Sequence, residues 1–262
     1  MIESSTNAQI KKIKKIKKNA RFRREQGLFA IEGWKMVQEA VRHGLARDIY
    51  VSEEALDQWQ EKPFSSNMPV QVLSSGLFQE LSDTVSPQGV LALVEMPHYT
   101  LDEICTGQMA SLLILENIQD PGNLGTMMRT AEGAGMSGVL LGKGCVDIYN
   151  PKAIRATMGS LFRVPFLYSD ELTTDVELLK TRGFTIYAAH LAGEVEYRQE
   201  TYEGRTGILI GNEANGLSDE ISARADRLVK ISMEGELESL NAAVCAALLM
   251  YEVHRNRRLP IA

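Results

Sequence analysis

The stretch GILIGNEANGLS, residues 207–218, runs from an apolar segment straight into a glycine, two amides and a carboxylate. Ile208, Leu209 and Ile210 are apolar at consecutive positions, which suits a strand buried on both faces rather than one with a wet side. A plain turn after it needs one Gly or Asn. Here Gly211, Asn212, Glu213, Asn215 and Gly216 fall together. The end of this strand therefore carries more polar chemistry than reversing the chain requires.

Two more apolar runs end in the same way. SLLILEN (111–117) opens into ENIQDPGNLG (116–125), and RLVKISM (227–233) into MEGELESLN (233–241). Between them the pattern alternates. NLGTMMRTAEGAG (123–135) reads as a helix closed by glycine, GVLLG (138–142) as a strand, and NPKAIRATMGS (150–160) as a helix with Pro151 in its first turn. TDVELLKTRG (174–183) reads as a helix and FTIYAAHL (184–191) as a strand. SDEISARA (218–225) is a short capped helix, and SLNAAVCAALLMYEVHRNRR (239–258) a long last one. Apolar strands separated by helices predict an α/β domain with a mostly parallel sheet covered on both sides. Ligands of such sheets bind outside the carboxyl ends of the strands, which is where the three polar stretches fall.

The first third of the chain reads as a second, smaller α/β unit. GLFAIEGWKMVQEAVRHG (27–44) gives a strand and a helix, ARDIYVS (46–52) and MPVQVLS (68–74) two strands, SGLFQELSDT (75–84) a helix and QGVLALVEM (88–96) a strand. PHYTLDEICTGQM (97–109) is the linker, marked by Pro97 and Gly107. The expected division is residues 1–95, a linker over 96–110, and a second domain over 111–262.

Composition narrows the class. The 262 residues are 44% hydrophobic and 24% charged, as in ordinary globular proteins. No apolar run reaches the roughly 18 residues that span a membrane, and the N-terminus lacks the apolar segment of a secretory signal. Three scattered cysteines and four histidines, with no CxxC pair, argue against a metal site or a disulfide framework and fit a reducing cytoplasm. GxxxxGK[ST], GxGxxG after a first strand, HExxH and GxSxG are all absent, which removes P-loop, dinucleotide, zinc-protease and serine-hydrolase readings. Polar amides without a histidine base suit orienting a ready-made reactive cofactor better than hydrolysis.

Charge is uneven. Residues 1–26 hold nine Lys or Arg against two Glu, a balance of +7, so with a total of −6 the remainder stands at −13. Ile10, Ile13 and Ile16 recur every three residues, which places them on one helical stripe with the lysines around it and Thr6 or Asn7 as cap. One reading is a solvated helix that packs its isoleucines. The preferred one is contact with an RNA backbone through Lys11, Lys12, Lys14, Lys15, Arg21 and Arg23. The apolar stripe is narrow and lacks Trp or Phe, which disfavours a membrane-surface helix.

NIQDPGNLGTMMRTAEGAG (117–135), ILIGNEANGLS (208–218) and KISMEGELESLNAAVCAALLMYE (230–252) resemble, in order and spacing, the three motifs of the SpoU family of RNA ribose 2′-O-methyltransferases, within the SPOUT superfamily. FAIEGWKMVQEAV (29–41) and LSDTVSPQGVLALVE (81–95) resemble, more softly, the substrate-binding domain often attached to that family. The resemblance implies a deep trefoil knot, homodimers and S-adenosylmethionine held within the knot, by position against Gly211, Ile231 and Leu240, with Leu191 or His190 from the preceding strand end. It implies a catalytic role for Arg129, with Asn123 fixing loop and ribose, Glu213 orienting Arg129 or loop amides, and Ser239 and Asn241 near the target ribose. A protonated guanidinium is an awkward base, so Arg129 suits holding phosphate and stabilising an alkoxide; the resemblance also implies the role of base, and that alternative stays open. Taken singly, Asn123 could be a turn residue, Arg129 a surface arginine, Glu213 a solvated carboxylate and Ser239 the cap of the last helix. Met233 and Met250 read as core filling. The implied substrate is 23S rRNA; tRNA, or an RNA-binding scaffold without catalysis, are the alternatives.

Overall fold

The computed structural model describes residues 1–61, 69–236 and 239–258. Met68 of the third expected strand, and Leu237 and Glu238 of the third motif, lie outside the described residues. The chain forms two units, residues 1–97 with 149–162, and residues 98–148 with 163–262.

In the first unit α1 (Ala8–Lys18) starts at Asn7, whose side chain accepts from the Gln9 amide. Its Ile10, Ile13 and Ile16 are fully buried beside Tyr50, Leu73, Phe78 and Leu91. Asn19 ends α1 and caps α2 (Ala20–Gln26), taking the Phe22 amide at 2.9 Å. There follow β1 (Leu28–Glu32), α3 (Trp34–Arg42), β2 (Ala46–Ser52), α4 (Leu56–Gln60), β3 (Val70–Leu73), α5 (Ser75–Leu81) and β4 (Val90–Glu95). The sheet runs β1-β4-β2-β3. β4 is antiparallel to both neighbours, and β2 and β3 are parallel. α2 and α4 are additions to the sequence reading.

The second unit begins with α6 (Leu101–Ile104), a one-turn helix inside the expected linker. It is closed by a capping box between Thr100 and Glu103. β5 (Ser111–Leu115), α7 (Pro121–Ala134) and β6 (Gly138–Leu141) follow. α8 (Pro151–Thr157) departs from the boundaries read from sequence, because residues 149–162 belong to the first unit. There the Phe29 ring lies tilted against Tyr149 with centroids 4.7 Å apart, and its centroid is 6.2 Å from that of Phe162. The second unit resumes with β7 (Phe166–Tyr168), α9 (Leu172–Thr181), β8 (Phe184–Ala189), β9 (Val195–Glu196), β10 (Arg205–Ile210), α10 (Asp219–Ser222), β11 (Arg227–Lys230) and α11 (Ala242–Arg258). β7 and β9, at three and two residues, are too short for periodicity to reveal.

The second sheet has the order β7-β6-β5-β10-β8-β11-β9. Every described pair in it is parallel. β5 is buried along all five residues, as expected of a strand covered on both faces. Register decides where the loops fall. Ile210 stands opposite Leu115, Leu209 opposite Ala188, and Val229 opposite Ala189. The carboxyl ends of β5, β10, β8 and β11 therefore finish side by side, and the three polar stretches emerge as neighbours.

Candidate active site

The loop after β10 is the tightest part of this end of the sheet. A Cβ on Gly211 would stand 2.2 Å from the Gly216 carbonyl carbon and 2.3 Å from the Leu217 nitrogen, so the residue must be glycine for the backbone to fold back this closely. Asn212 and Gly216 exchange two backbone hydrogen bonds of 2.9 Å, and Gly216 takes the left-handed conformation at φ 68°. The Asn212 side chain makes three hydrogen bonds. Its Oδ1 accepts from Ala214 and Asn215, and its Nδ2 donates to the Asn117 carbonyl at 2.8 Å.

That last bond crosses to the loop after β5, and two carboxylates add five more crossings. Glu116 accepts from the Ser218 amide at 2.7 Å and its hydroxyl at 2.6 Å. Glu213 accepts from the amides of Gln119 and Asp120 and, at 3.0 Å, from Asn123 Nδ2. Asn123 sits in the first turn of α7, its amide held by the Asp120 cap at 2.8 Å. Burial alone would raise the Glu213 carboxyl, but the hydrogen bonds from Asn123 and the loop amides outweigh it and leave it below the ordinary carboxylate range. An ionised Glu213 thus faces the first turn of α7, where the helix dipole favours a negative charge.

The third loop joins through Asn241. Its Nδ2 donates to Asn123 Oδ1 at 3.0 Å, and its Oδ1 accepts from the Ala243 and Val244 amides. Asn241 is therefore the cap of α11 and lies outside the helix. Ser239, expected as a possible cap, stands two residues earlier in the loop. Glu213, Asn123 and Asn241 form one continuous chain of hydrogen bonds, one residue from each polar stretch.

Beside this chain lies a cleft of about 350 Å³. All five residues expected to hold the cofactor line it: His190, Leu191, Gly211, Ile231 and Leu240. Ser239 and Glu213 line it too. Met233 is half-buried in its wall instead of filling the core, whereas Met250 is fully buried as expected. The turn after β8 hugs β11, since a Cβ on Gly193 would meet the Val229 carbonyl carbon at 2.7 Å.

Asn123 and Asn241 face a neighbouring groove of about 560 Å³ that includes Val244, Ala247, Leu248 and Tyr251. Arg129 lines neither cavity. It lies six residues beyond Asn123 on α7, about 9 Å along the axis and on another face. It is exposed, with no hydrogen bond or ion pair among the described residues. Glu213 orients loop amides and Asn123, and does not bond Arg129.

The six cations expected to meet RNA differ from one another. Lys11, Lys15 and Arg21 are exposed, and Lys12 is half-buried. Lys14 pairs with Glu80 at 2.6 Å. Arg23 is 4% exposed and donates to the carbonyls of Ile16 and Lys17, so it closes the end of α1 and is not presented to solvent. Glu116 and Asn117 join these loops and were not singled out in the sequence, although their signal was present, since both follow the apolar run Leu112–Leu115; Asn212 stood in the polar stretch without a role of its own.

Among the described residues no helix is long and apolar enough to cross a membrane, and no three His, Cys, Asp or Glu side chains cluster as metal ligands.

A family profile described as the SpoU rRNA Methylase family matches residues 110–251, and one described as the MRM3-like substrate binding domain matches residues 7–92. The chain is 32% identical over 253 residues to the 23S rRNA (guanosine(2553)-2′-O)-methyltransferase RlmP of Bacillus subtilis, covering 96% of this chain and 98% of that one. It resembles the AdoMet-bound rRNA methyltransferase from Sinorhizobium meliloti with a TM-score of 0.87 and 29% identity, over 98% of each chain. The SpoU methyltransferase AviRb from Streptomyces viridochromogenes, in complex with AdoMet, matches with a TM-score of 0.85 and 27% identity, over 96% of this chain and 98% of that one.

Proposed function

The chain belongs to the SpoU rRNA methylase family, and from that premise we propose that it methylates a ribose 2′-hydroxyl in 23S rRNA with S-adenosylmethionine as donor. The observation that carries this reading is the joining of three strand-end loops through Glu213, Asn123 and Asn241 beside a cleft lined by every residue expected to hold the cofactor.

The cleft fits the cofactor. Its volume lies within the ~300–1,000 Å³ of small-molecule sites, and its walls are mostly apolar, with backbone groups at Gly211 and Gly216 and a hydroxyl at Ser239. His190, Leu191, Gly211, Ile231 and Leu240 would hold the nucleoside part. The bound cofactor supplies a methyl group already activated on a sulfonium. The chain's own residues then have to align the ribose hydroxyl, exclude water and offset the charge left as its proton departs. Ser239, which lines the cleft, and Asn241, which faces the neighbouring groove, are the groups offered to the ribose. Asn123 is fixed by Glu213 and Asn241, so its amide is preorganised. Arg129, unpaired and permanently charged, is suited to an adjacent phosphate and to the developing alkoxide.

The same reading takes the protein as a cytoplasmic homodimer, with residues 1–95 as the RNA-capturing part. Val244 and Tyr251 are 48% and 50% exposed on the open face of α11, beside Ala247 and Leu248. A second copy covering that face would complete the site with an Arg129 that this chain's own cleft lacks. Light scattering at micromolar concentration should give a dimer; a monomer that still methylates removes this part. The knot is proposed with it, supported by the backbone packed where a Gly211 side chain would be.

Mapping of 2′-O-methyl groups in 23S rRNA and tRNA from a strain lacking the protein tests the activity. One 23S nucleotide should lose its methyl and regain it with the purified protein. Arg129→Ala should slow transfer on the order of 10²–10³-fold while the cofactor still binds. An unchanged 23S map, or an Arg129→Ala protein as fast as the parent, contradicts the assignment.

A further inference from the structure

We propose that α1 presents a phosphate-binding stripe of Lys11, Lys15 and Lys18, and that Lys14, Lys17 and Arg23 hold this stripe in place. The inference rests on RNA being the substrate, and it names which charges meet it.

The three lysines are four and three residues apart. On an α-helix that gathers them within about 60° of one line and spreads them over about 10 Å. All three are exposed, and α1 contains no acid. The opposite side of the helix is fixed, with Ile10, Ile13 and Ile16 fully buried.

The flanks are fixed as well. Lys14 Nζ lies 2.6 Å from Glu80, and Lys17 Nζ lies 2.8 Å from Asp83 while also donating to the Leu81 carbonyl. Arg21 pairs with Glu25 at 2.8 Å. Arg23 is buried against the last carbonyls of α1. Each of these charges is already answered inside the unit. Lys11 and Lys18 have no ion pair among the described residues, and neither do the half-buried Lys12, about 100° round the helix from Lys11, and Arg24 on α2. Lys15 rests 4.0 Å above the Phe22 ring, which positions its ammonium without neutralising it.

The stripe is therefore a row of free cations on an immobilised helix, and binding has little chain ordering left to oppose it. An anionic membrane would attract the same charges, but a surface helix inserts its apolar face, and here that face is used in the core. A polyanion that touches only the charged side fits, and the RNA backbone is such a partner.

Filter binding of the full-length protein to 23S rRNA across a salt series tests the stripe. Each lost phosphate contact lowers the slope of log affinity against log salt by roughly 0.7–0.9. The variant Lys11→Gln/Lys15→Gln/Lys18→Gln should lose about 2 to 3 in slope and on the order of 100-fold in affinity at 0.15 M salt, with its melting temperature unchanged. Lys14→Gln/Lys17→Gln should melt earlier and keep the parent slope. A triple variant that keeps the parent slope and still methylates overturns the stripe and spares the activity. A Lys14/Lys17 variant that loses as much slope as the triple one overturns it too. So does lysine-dependent sedimentation with phosphatidylserine vesicles when the RNA slope is unchanged. Parent protein that transfers no methyl to any ribosomal RNA overturns the activity instead, and a slope that still falls in the triple variant then upholds the stripe.

Discussion

The two units use polar residues in opposite ways. At the carboxyl ends of the second sheet, Glu213, Asn123, Asn241 and Asn212 point at one another and at neighbouring loop amides. On α1 of the first unit the lysines divide, some bound to Glu80 and Asp83 and others left to solvent. The difference separates a site that must be rigid from a surface that must remain charged. A preorganised pocket gains from satisfied hydrogen bonds, because unsatisfied ones cost about 1–3 kcal/mol each in a partly buried setting. A phosphate-binding face gains from charges without internal partners.

The comparison treats the units as separate, and the most severe test strikes at that. Residues 149–162 lie in the first unit, with Tyr149 and Phe162 against Phe29, and Ile154 beside Ala30, Met36 and Leu91. A protein of residues 98–262 alone would leave these three side chains uncovered. At about 1.5–3 kcal/mol for each large apolar side chain, the loss rivals the whole stability of an ordinary domain, about 5–15 kcal/mol. The truncated protein should be insoluble or bind hydrophobic dyes strongly. A soluble, monodisperse fragment with the cofactor affinity of the full chain would show the units to be more independent than this borrowed segment suggests.

The borrowed segment also marks where the sequence stops being informative. NPKAIRATMGS shows by its pattern that it is a helix with an apolar side, but periodicity tells which side is apolar and not which core receives it. Arg23 is the same problem in reverse. Within ARFRR nothing distinguishes the buried arginine from its neighbours, and the structure spends it on two carbonyls at the end of α1. Five of the seven strands of the second sheet were legible because runs such as SLLIL are apolar at nearly every position. The residues proposed to hold the cofactor were legible only through the family motifs, since what they offer is largely backbone and apolar groups. The bonds from Glu213 to Asn123 and from Asn123 to Asn241 span 90 and 118 residues, and no local pattern carries pairings at that separation.

A milder test concerns the inward-facing network. In Glu213→Gln the carboxylate that accepts from Gln119, Asp120 and Asn123 becomes an amide with one acceptor oxygen and two new donors. Loss of charge-assisted hydrogen bonds of this kind costs about 1.5–3 kcal/mol, so the variant should melt earlier and bind the cofactor more weakly. The pH dependence has a definite sign. The folded carboxyl titrates below its ordinary value, so its stabilisation is fully present above the unfolded pKa of about 4.3. It is lost as pH falls through the lower, folded value. The parent protein should therefore lose its advantage over Glu213→Gln between about pH 5 and the acid limit of folding. A constant difference across that range, measured by thermal melts, would mean that the charge on Glu213 does not hold the loops.

The smallest effect is expected at Lys14, and its smallness is what makes it useful. Its side chain is 31% exposed and that of Glu80 is 52% exposed. An ion pair this open is worth about 0.2–1 kcal/mol and fades with salt, since the Debye length shrinks from about 8 Å at 0.15 M to about 3 Å at 1 M. Lys14→Gln should lower stability by that much in dilute buffer and by almost nothing at 1 M salt. A double-mutant cycle with Glu80→Gln isolates the pair from what each residue does alone. The coupling should be favourable at low salt and vanish at high salt, and the RNA salt slope of Lys14→Gln should match that of the parent. If the coupling were zero at low salt while the slope fell, Lys14 would be facing RNA. The division of the arm into holding and binding lysines would then have to be redrawn with Lys14 among the free charges.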